Sequence, residues 1–213
     1  MIATQDAEGA NLLPAKLPQI RLRRRQVMWL LTELGYGAGV SHPTFYEYIK
    51  SLRKLGIPFG FRTVKSLAGT RVEYSYDDVM ELAVTLSLRV YHVVPDSLLI
   101  QIVRHRARLH RFYRKAYAER RTGRGSPIAV KPEDGTSIEL HGLFLDLAVT
   151  FSGGKLVRFG PPKLLSPADA LRLSAQRMLS VQMLLPLNIS VLAERVVSLA
   201  SAAPKKLRGS MAV

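Results

Sequence analysis

The chain has 213 residues, 47% of them hydrophobic, enough to bury a core in one large domain or two small ones. It carries 31 Lys and Arg against 16 Asp and Glu, a net charge of +15, and it has no cysteine. The charge points to a polyanionic partner, because counterions released from a phosphate backbone drive binding; the missing thiols exclude disulfides, thiol catalysis and cysteine-held metals.

Residues 21 to 124 hold 20 Lys/Arg and 8 Asp/Glu, a net of +12, which leaves +3 for the rest. The polyanion-binding surface is therefore expected in that first half. No apolar run is long enough to span a membrane. The basic run Arg21 to Arg25 before Val27 to Leu31 has the order of a signal peptide, but the apolar stretch is short and meets Thr32 and Glu33, so it is not read as one. A cytoplasmic, nucleoid-associated protein with no membrane partner is expected.

Residues 1–20 lack periodicity and contain Pro14 and Pro18, which predicts a flexible arm. From Arg24 to Leu34, apolar residues at 27, 28, 30, 31 and 34 predict an amphipathic helix, ended by Gly35, Gly37 and Gly39. Ser41 is an N-cap for a second helix, in which Phe45, Tyr48, Ile49, Leu52 and Leu55 form one apolar face. Gly56 closes that helix and Pro58 forbids its continuation. Its polar side shows His42, Thr44, Tyr46, Glu47, Lys50, Arg53 and Lys54.

Two β-prone runs, Phe59 to Val64 and Thr70 to Tyr74, joined by a glycine-containing loop, predict a hairpin. Ser75 caps a third helix with Val79, Leu82, Ala83, Leu86 and Val90 as its buried stripe. Pro95 opens a long fourth helix, apolar along Leu98, Leu99, Ile102, Val103, Leu109, Phe112, Tyr113, Ala116 and Tyr117. Arg104, Arg108, Arg111, Arg114 and Lys115 fall on its other side. After a basic linker to Pro127, strands are predicted at 138–140, 143–151 and 156–159, the last two joined by Gly153-Gly154. Helices follow from Ser166 to about Leu185 and from Asn188 to Ala200.

Helix, glycine turn, helix, hairpin, helix is the layout of a winged helix-turn-helix. The second helix of that layout is narrow enough to enter the DNA major groove. The candidate DNA contacts are Ser41, His42 and Thr44 at its N-terminus, Tyr46, Lys50 and Arg53 along it, Arg62, Lys65 and Arg71 on the hairpin, and the run Arg23, Arg24 and Arg25 before the first helix. Lys or Arg can donate to guanine O6 and N7, and a helix N-terminus favours a phosphate.

Gly39-Val-Ser-His-Pro-Thr44 resembles the G-V-S-x-x-T start of the recognition helix in the MerR-type (mercury-resistance regulator) winged-helix family. Arg71-Val-Glu-Tyr-Ser-Tyr-Asp-Asp-Val-Met-Glu-Leu82 resembles that family's passage from the wing into the next helix. The resemblance spans roughly residues 24 to 95. It implies a homodimer on an inverted repeat, with Arg71 and the recognition helix touching DNA and the helix after Pro95 pairing between protomers. Tyr46 stands where the family often has Arg, and without the metal sensors' cysteines no metal response is implied.

The sequence is thus read as an α+β protein. Residues 21–95 form the winged helix-turn-helix, 96–121 a long dimerisation or bridging helix, 128–203 a small domain of strands followed by helices serving dimerisation or partner or ligand binding, and 204–213 a basic tail. The expected function is sequence-specific binding of double-stranded DNA by a dimeric, non-enzymatic bacterial transcriptional regulator without cofactor or metal. A plasmid or phage replication, partition or excision factor is the first alternative. An RNA-binding or ribosome-associated protein is the second, although no set of stacking aromatics on an exposed sheet is evident. Asp146, in the apolar run Phe144 to Ala148, is the one candidate catalytic carboxylate; it lacks a partner motif and is read as structural. His105 and His110 sit among arginines, which argues against a metal site.

Overall fold

The computed structural model describes residues 18–60, 72–91, 94–122, 128–130, 138–147, 149–152, 155–179 and 186–205. It is an α+β structure in which helices carry the core and short antiparallel sheets flank it. Most of the expected arm and tail, and residues 61–71 of the expected hairpin, lie outside the described residues.

Strand β1 (Leu22–Arg23) leads directly into helix α1 (Arg24–Glu33). The Arg23 amide donates to Gln26 Oε1 at 2.9 Å, satisfying a donor that the helix start would otherwise leave unpaired. Val27, Met28, Leu30 and Leu31 are buried, as their spacing requires. Helix α2 (His42–Lys54) follows the connection over residues 34–41 and buries Phe45, Ile49 and Leu52, each contributing about 2 kcal/mol by leaving water. Both helices stop in the same way. Gly35 and Gly56 adopt left-handed φ values of 97° and 81°, and the amides of Tyr36 and Ile57 reach back to the carbonyls of Leu31 and Leu52 at 3.2 and 3.0 Å. Glycine alone takes that conformation without a Cβ penalty.

Strand β2 (Glu73–Tyr74) pairs antiparallel with β1, setting Leu22 opposite Tyr74. Helix α3 (Tyr76–Tyr91) begins at Ser75, whose hydroxyl accepts from the Asp78 amide at 3.3 Å while the Asp78 carboxylate accepts from the Ser75 amide at 2.8 Å. This helix is the centre of the molecule. Val79, Met80, Leu82, Ala83, Val84, Leu86 and Leu88 are all buried, so it has no single buried stripe. Val90, expected in that stripe, is 41% exposed, because the helix emerges from the core at its last turn.

Helix α4 (Asp96–Thr122) buries Leu98, Leu99, Ile102, Leu109, Tyr113 and Ala116. The apolar side read from the sequence is correct, but it is occupied within the chain, by α3 and by the last helix. The α3–α4 contact is polar at its heart. Glu81 is completely buried. Its carboxylate accepts from Arg106 Nε at 2.8 Å and Nη2 at 2.7 Å, and Oε2 lies 3.0 Å from His110 Nε2. One turn earlier, Asp77 accepts from Arg114 Nε at 3.0 Å. Carboxylates at 77 and 81 thus meet basic side chains at 106, 110 and 114, a ladder set by the four-residue spacing of both helices.

Beyond α4, strands β3 (Ile128–Val130) and β4 (Ile138–Leu140) pair antiparallel. The single strand expected over 143–151 is two: β5 (Phe144–Asp146) and β6 (Val149–Ser152), which belong to different sheets. Strand β6 forms the expected hairpin with β7 (Lys155–Phe159), Ser152 opposite Lys155. Strand β5 is the middle of a sheet between β8 (Lys163–Leu165) and β9 (Leu187–Asn188). Helix α5 (Pro167–Leu179) starts at Ser166.

Helix α6 (Ile189–Ala202) is capped by Asn188, which accepts from the Val191 amide at 3.1 Å. It returns to the first half of the chain. Ile189, Ala193 and Val196 are fully buried in the same core as α1, α3 and α4. Arg195 donates to the Glu33 carbonyl at 3.3 Å and Gln26 Nε2 donates to the Pro204 carbonyl at 3.2 Å, so α6 runs antiparallel to α1. Residues 128–203 were set apart in the sequence as a domain of their own; α6, within that span, shares the core of the first half.

Arg106→Ala leaves the buried Glu81 carboxylate with His110 alone. It is expected to lower the unfolding free energy by about 3 kcal/mol. Urea denaturation followed by circular dichroism measures this, and an unchanged midpoint would remove the ladder from the account of stability.

Candidate nucleic-acid interface

Helix α2 turns its apolar face inward and presents the opposite side to solvent. Ser41, His42, Pro43, Thr44, Glu47, Lys50 and Lys54 are exposed. Positions 43, 47, 50 and 54 recur every three or four residues, so they form one ridge along the middle of the outward face. Lys50 is paired with Glu47 at 3.0 Å, a partly solvated bridge of small energetic weight that leaves the ammonium free to exchange partners.

The N-terminus of α2 is more self-contained than the sequence implied. The Ser41 hydroxyl accepts from the Thr44 amide at 3.5 Å and lies 2.8 Å from the Thr44 hydroxyl. Pro43 has no N–H to offer. Within the first turn this leaves the His42 amide for an incoming oxygen, with the two hydroxyls beside it.

Arginines flank the ridge on one side. The Arg24 guanidinium, at the start of α1, lies 4.1 Å over the Tyr46 ring. Arg53 lies 6.0 Å over the ring of Phe59. Both are half-buried, and the Nε of each is enclosed without a hydrogen-bond partner. Behind them Tyr74 is buried, with Phe59 stacked at 4.9 Å. Burial pushes the Tyr74 hydroxyl above its ordinary range, and the Arg53 and Arg24 charges pull it partly back. Two guanidiniums held on aromatic faces beside one tyrosine, and bonded to no carboxylate among the described residues, are oriented donors with unspent capacity.

On the other side of the ridge Arg89, from α3, stacks on Tyr48 at 5.1 Å and donates to Ser51 Oγ at 2.7 Å and to Asp96 at 3.3 Å. It ties α2 to the start of α4. Arg23 and Arg25 are exposed, and Arg21 reaches Glu73 at 3.7 Å across the β1–β2 pair with 83% of its side chain in solvent.

Of the sequence-predicted residues, the structure gathers Arg23, Arg24, Arg25, Ser41, His42, Thr44, Tyr46, Lys50 and Arg53 on and around α1 and α2. Arg62, Lys65 and Arg71 lie outside the described residues. Tyr46 is a platform for Arg24 before it is a contact of its own. The sequence reading passed over Arg21, Lys54 and Arg89 as site residues. Lys54 was legible, since it stands four residues after Lys50; Arg89 was not, since its role depends on α3 ending beside α2.

Asp146 is buried on β5, opposite Lys163 in the strand register, and does not border α2. Among the described residues no group of three His, Asp or Glu is arranged to hold a metal ion, and no helix is long and apolar enough to cross a membrane. No known family, curated protein or solved structure matches the chain.

Ser41→Ala removes the cap of α2 and is expected to cost about 1 kcal/mol of stability, with Ser41→Asp close to the parent. Thermal unfolding of the three proteins checks the order; equal melting temperatures would mean the cap is idle.

Proposed function

We propose that the protein binds double-stranded DNA and reads its sequence with α2. The observation that carries this is the outward face of that helix: a ridge of polar side chains including Lys50 and Lys54, flanked by the aromatic-held Arg24 and Arg53, which meet no carboxylate among the described residues. A helix of this width fits the major groove, where Lys50 is placed as a base-edge donor. In this reading Arg24 and Arg53 are fixed donors to phosphates along one wall of the groove. The order β1, α1, α2, β2, α3 supports a winged helix-turn-helix of the MerR-like kind. The protein acts, in this reading, in the cytoplasm as a transcriptional regulator and a binding protein rather than a catalyst.

An inverted repeat would be read by two copies. The apolar side of α4 and that of α6 are spent inside the chain, so in this reading a homodimer joins through the strands and helix between residues 128 and 188.

Selection of bound fragments from genomic DNA, followed by footprinting, is the direct test; a palindromic site is the expected result. On that site Lys50→Ala is expected to cost about 1–3 kcal/mol and to relax preference at one base pair. Arg24→Ala and Arg53→Ala are expected to weaken specific and random duplex alike. Binding that ignores sequence altogether, or recovery of RNA in place of DNA, overturns the reading.

A further inference from the structure

The cations of α4 fall into two groups. Arg106, His110 and Arg114 face α3, and the carboxylates of Glu81 and Asp77 answer them. Arg104, Arg108, Arg111 and Lys115 lie on the opposite side of the helix, at successive spacings of four, three and four, and all are exposed. Lys115 is paired with Glu119 at 3.7 Å. The three arginines meet no carboxylate among the described residues; Arg108 rests on the Phe112 ring at 5.5 Å. Like charges one turn apart on a helix repel, and among the described residues no carboxylate meets the three arginines to relieve them. The stripe runs about 16 Å, at 1.5 Å of rise per residue.

We propose that this outward face of α4 is a second contact line for nucleic-acid backbone, distinct from the α2 ridge, with Arg104, Arg108 and Arg111 each taking a phosphate. The proposal rests on the duplex-binding reading above and extends it to a surface that the helix-turn-helix layout does not assign. Three features favour phosphate over other anions. The stripe is built of arginines, whose planar forks match phosphate oxygens in pairs. Its length spans several phosphates, which recur once per about 3.4 Å of duplex axis on each strand. A lipid surface is disfavoured because an interfacial helix needs an exposed apolar side, and that of α4 is buried within the chain. The face is also the wrong one for a symmetric helix pair, since two copies would set arginine against arginine.

The test compares the full-length parent, Arg104→Ala/Arg108→Ala/Arg111→Ala, and Lys50→Ala/Lys54→Ala. Duplex binding is followed by fluorescence anisotropy across a salt series. The three arginines are exposed, so melting temperature should be held or raised. The stripe variant is expected to bind duplex at least tenfold more weakly at low salt. Its slope of log affinity against log salt should fall by about 2 to 3, since each phosphate contact contributes roughly 0.9. An unchanged slope and affinity overturn the stripe while leaving the α2 reading intact. Steep salt dependence that vanishes in the stripe variant but is indifferent to Lys50, Lys54 and sequence sinks the α2 reading and keeps the stripe. A parent that binds phosphatidylserine vesicles and no duplex overturns both.

Discussion

The contact on which the rest of the molecule leans is the Glu81 carboxylate inside the α3–α4 interface. A carboxylate removed from water is costly by several kcal/mol, and it persists only where donors surround it. Arg106 supplies two and His110 stands ready as a third. The same Arg106 Nη2 also donates to the Gly56 carbonyl at 2.7 Å, at the exit of α2. One guanidinium therefore holds three helices: it neutralises the acid of α3, belongs to α4, and fixes the turn that ends α2. An apolar core would tolerate α4 sliding along α3; the ladder at 77, 81, 106, 110 and 114 admits one register.

That constraint explains why α2 can be rigid although it lies at the surface. Its apolar face is fixed by Phe45, Ile49 and Leu52, its start by Ser41, its end by the Gly56 turn, and its flank by Arg89. A helix held at both ends and along one side loses little further freedom when a partner docks, so more of the contact energy appears as affinity. The stacked arginines follow the same logic. Tyr46 and Phe59 hold the Arg24 and Arg53 guanidiniums in place.

Much of the helical half was legible in the sequence. The start of α1 follows from apolar periodicity, those of α2, α3 and α4 from periodicity joined to a cap or a proline, and the ends of α1 and α2 from glycine. Those signals are local, and local physics decides them. What stayed hidden depends on partners far along the chain. Strand β1 is two residues inside an arginine run and exists only because β2 comes beside it. Strands β3 and β8 have three residues each and β9 two. Glu81 looks like any solvent-facing acid in a helix until α4 covers it. The apolar side of α4 was identified residue by residue, yet whether it meets a second copy or its own chain is a question periodicity does not answer. For the candidate site, the chemistry of α2 could be read directly, whereas the stacking of Arg24 on Tyr46 and of Arg53 on Phe59 needed the fold.

The position of α6 bears on when the protein becomes competent. During synthesis the first half emerges well before residue 189, and until then α1, α3 and α4 lack the side chains of Ile189, Ala193 and Val196 that complete their core. Contacts so distant in sequence form late, because a long segment must be ordered before they can reward closure. Until α6 emerges, the nascent chain thus offers a basic, incompletely packed surface. Growth from the ribosome would then act as a timer, withholding a finished core from every product that stops short of α6.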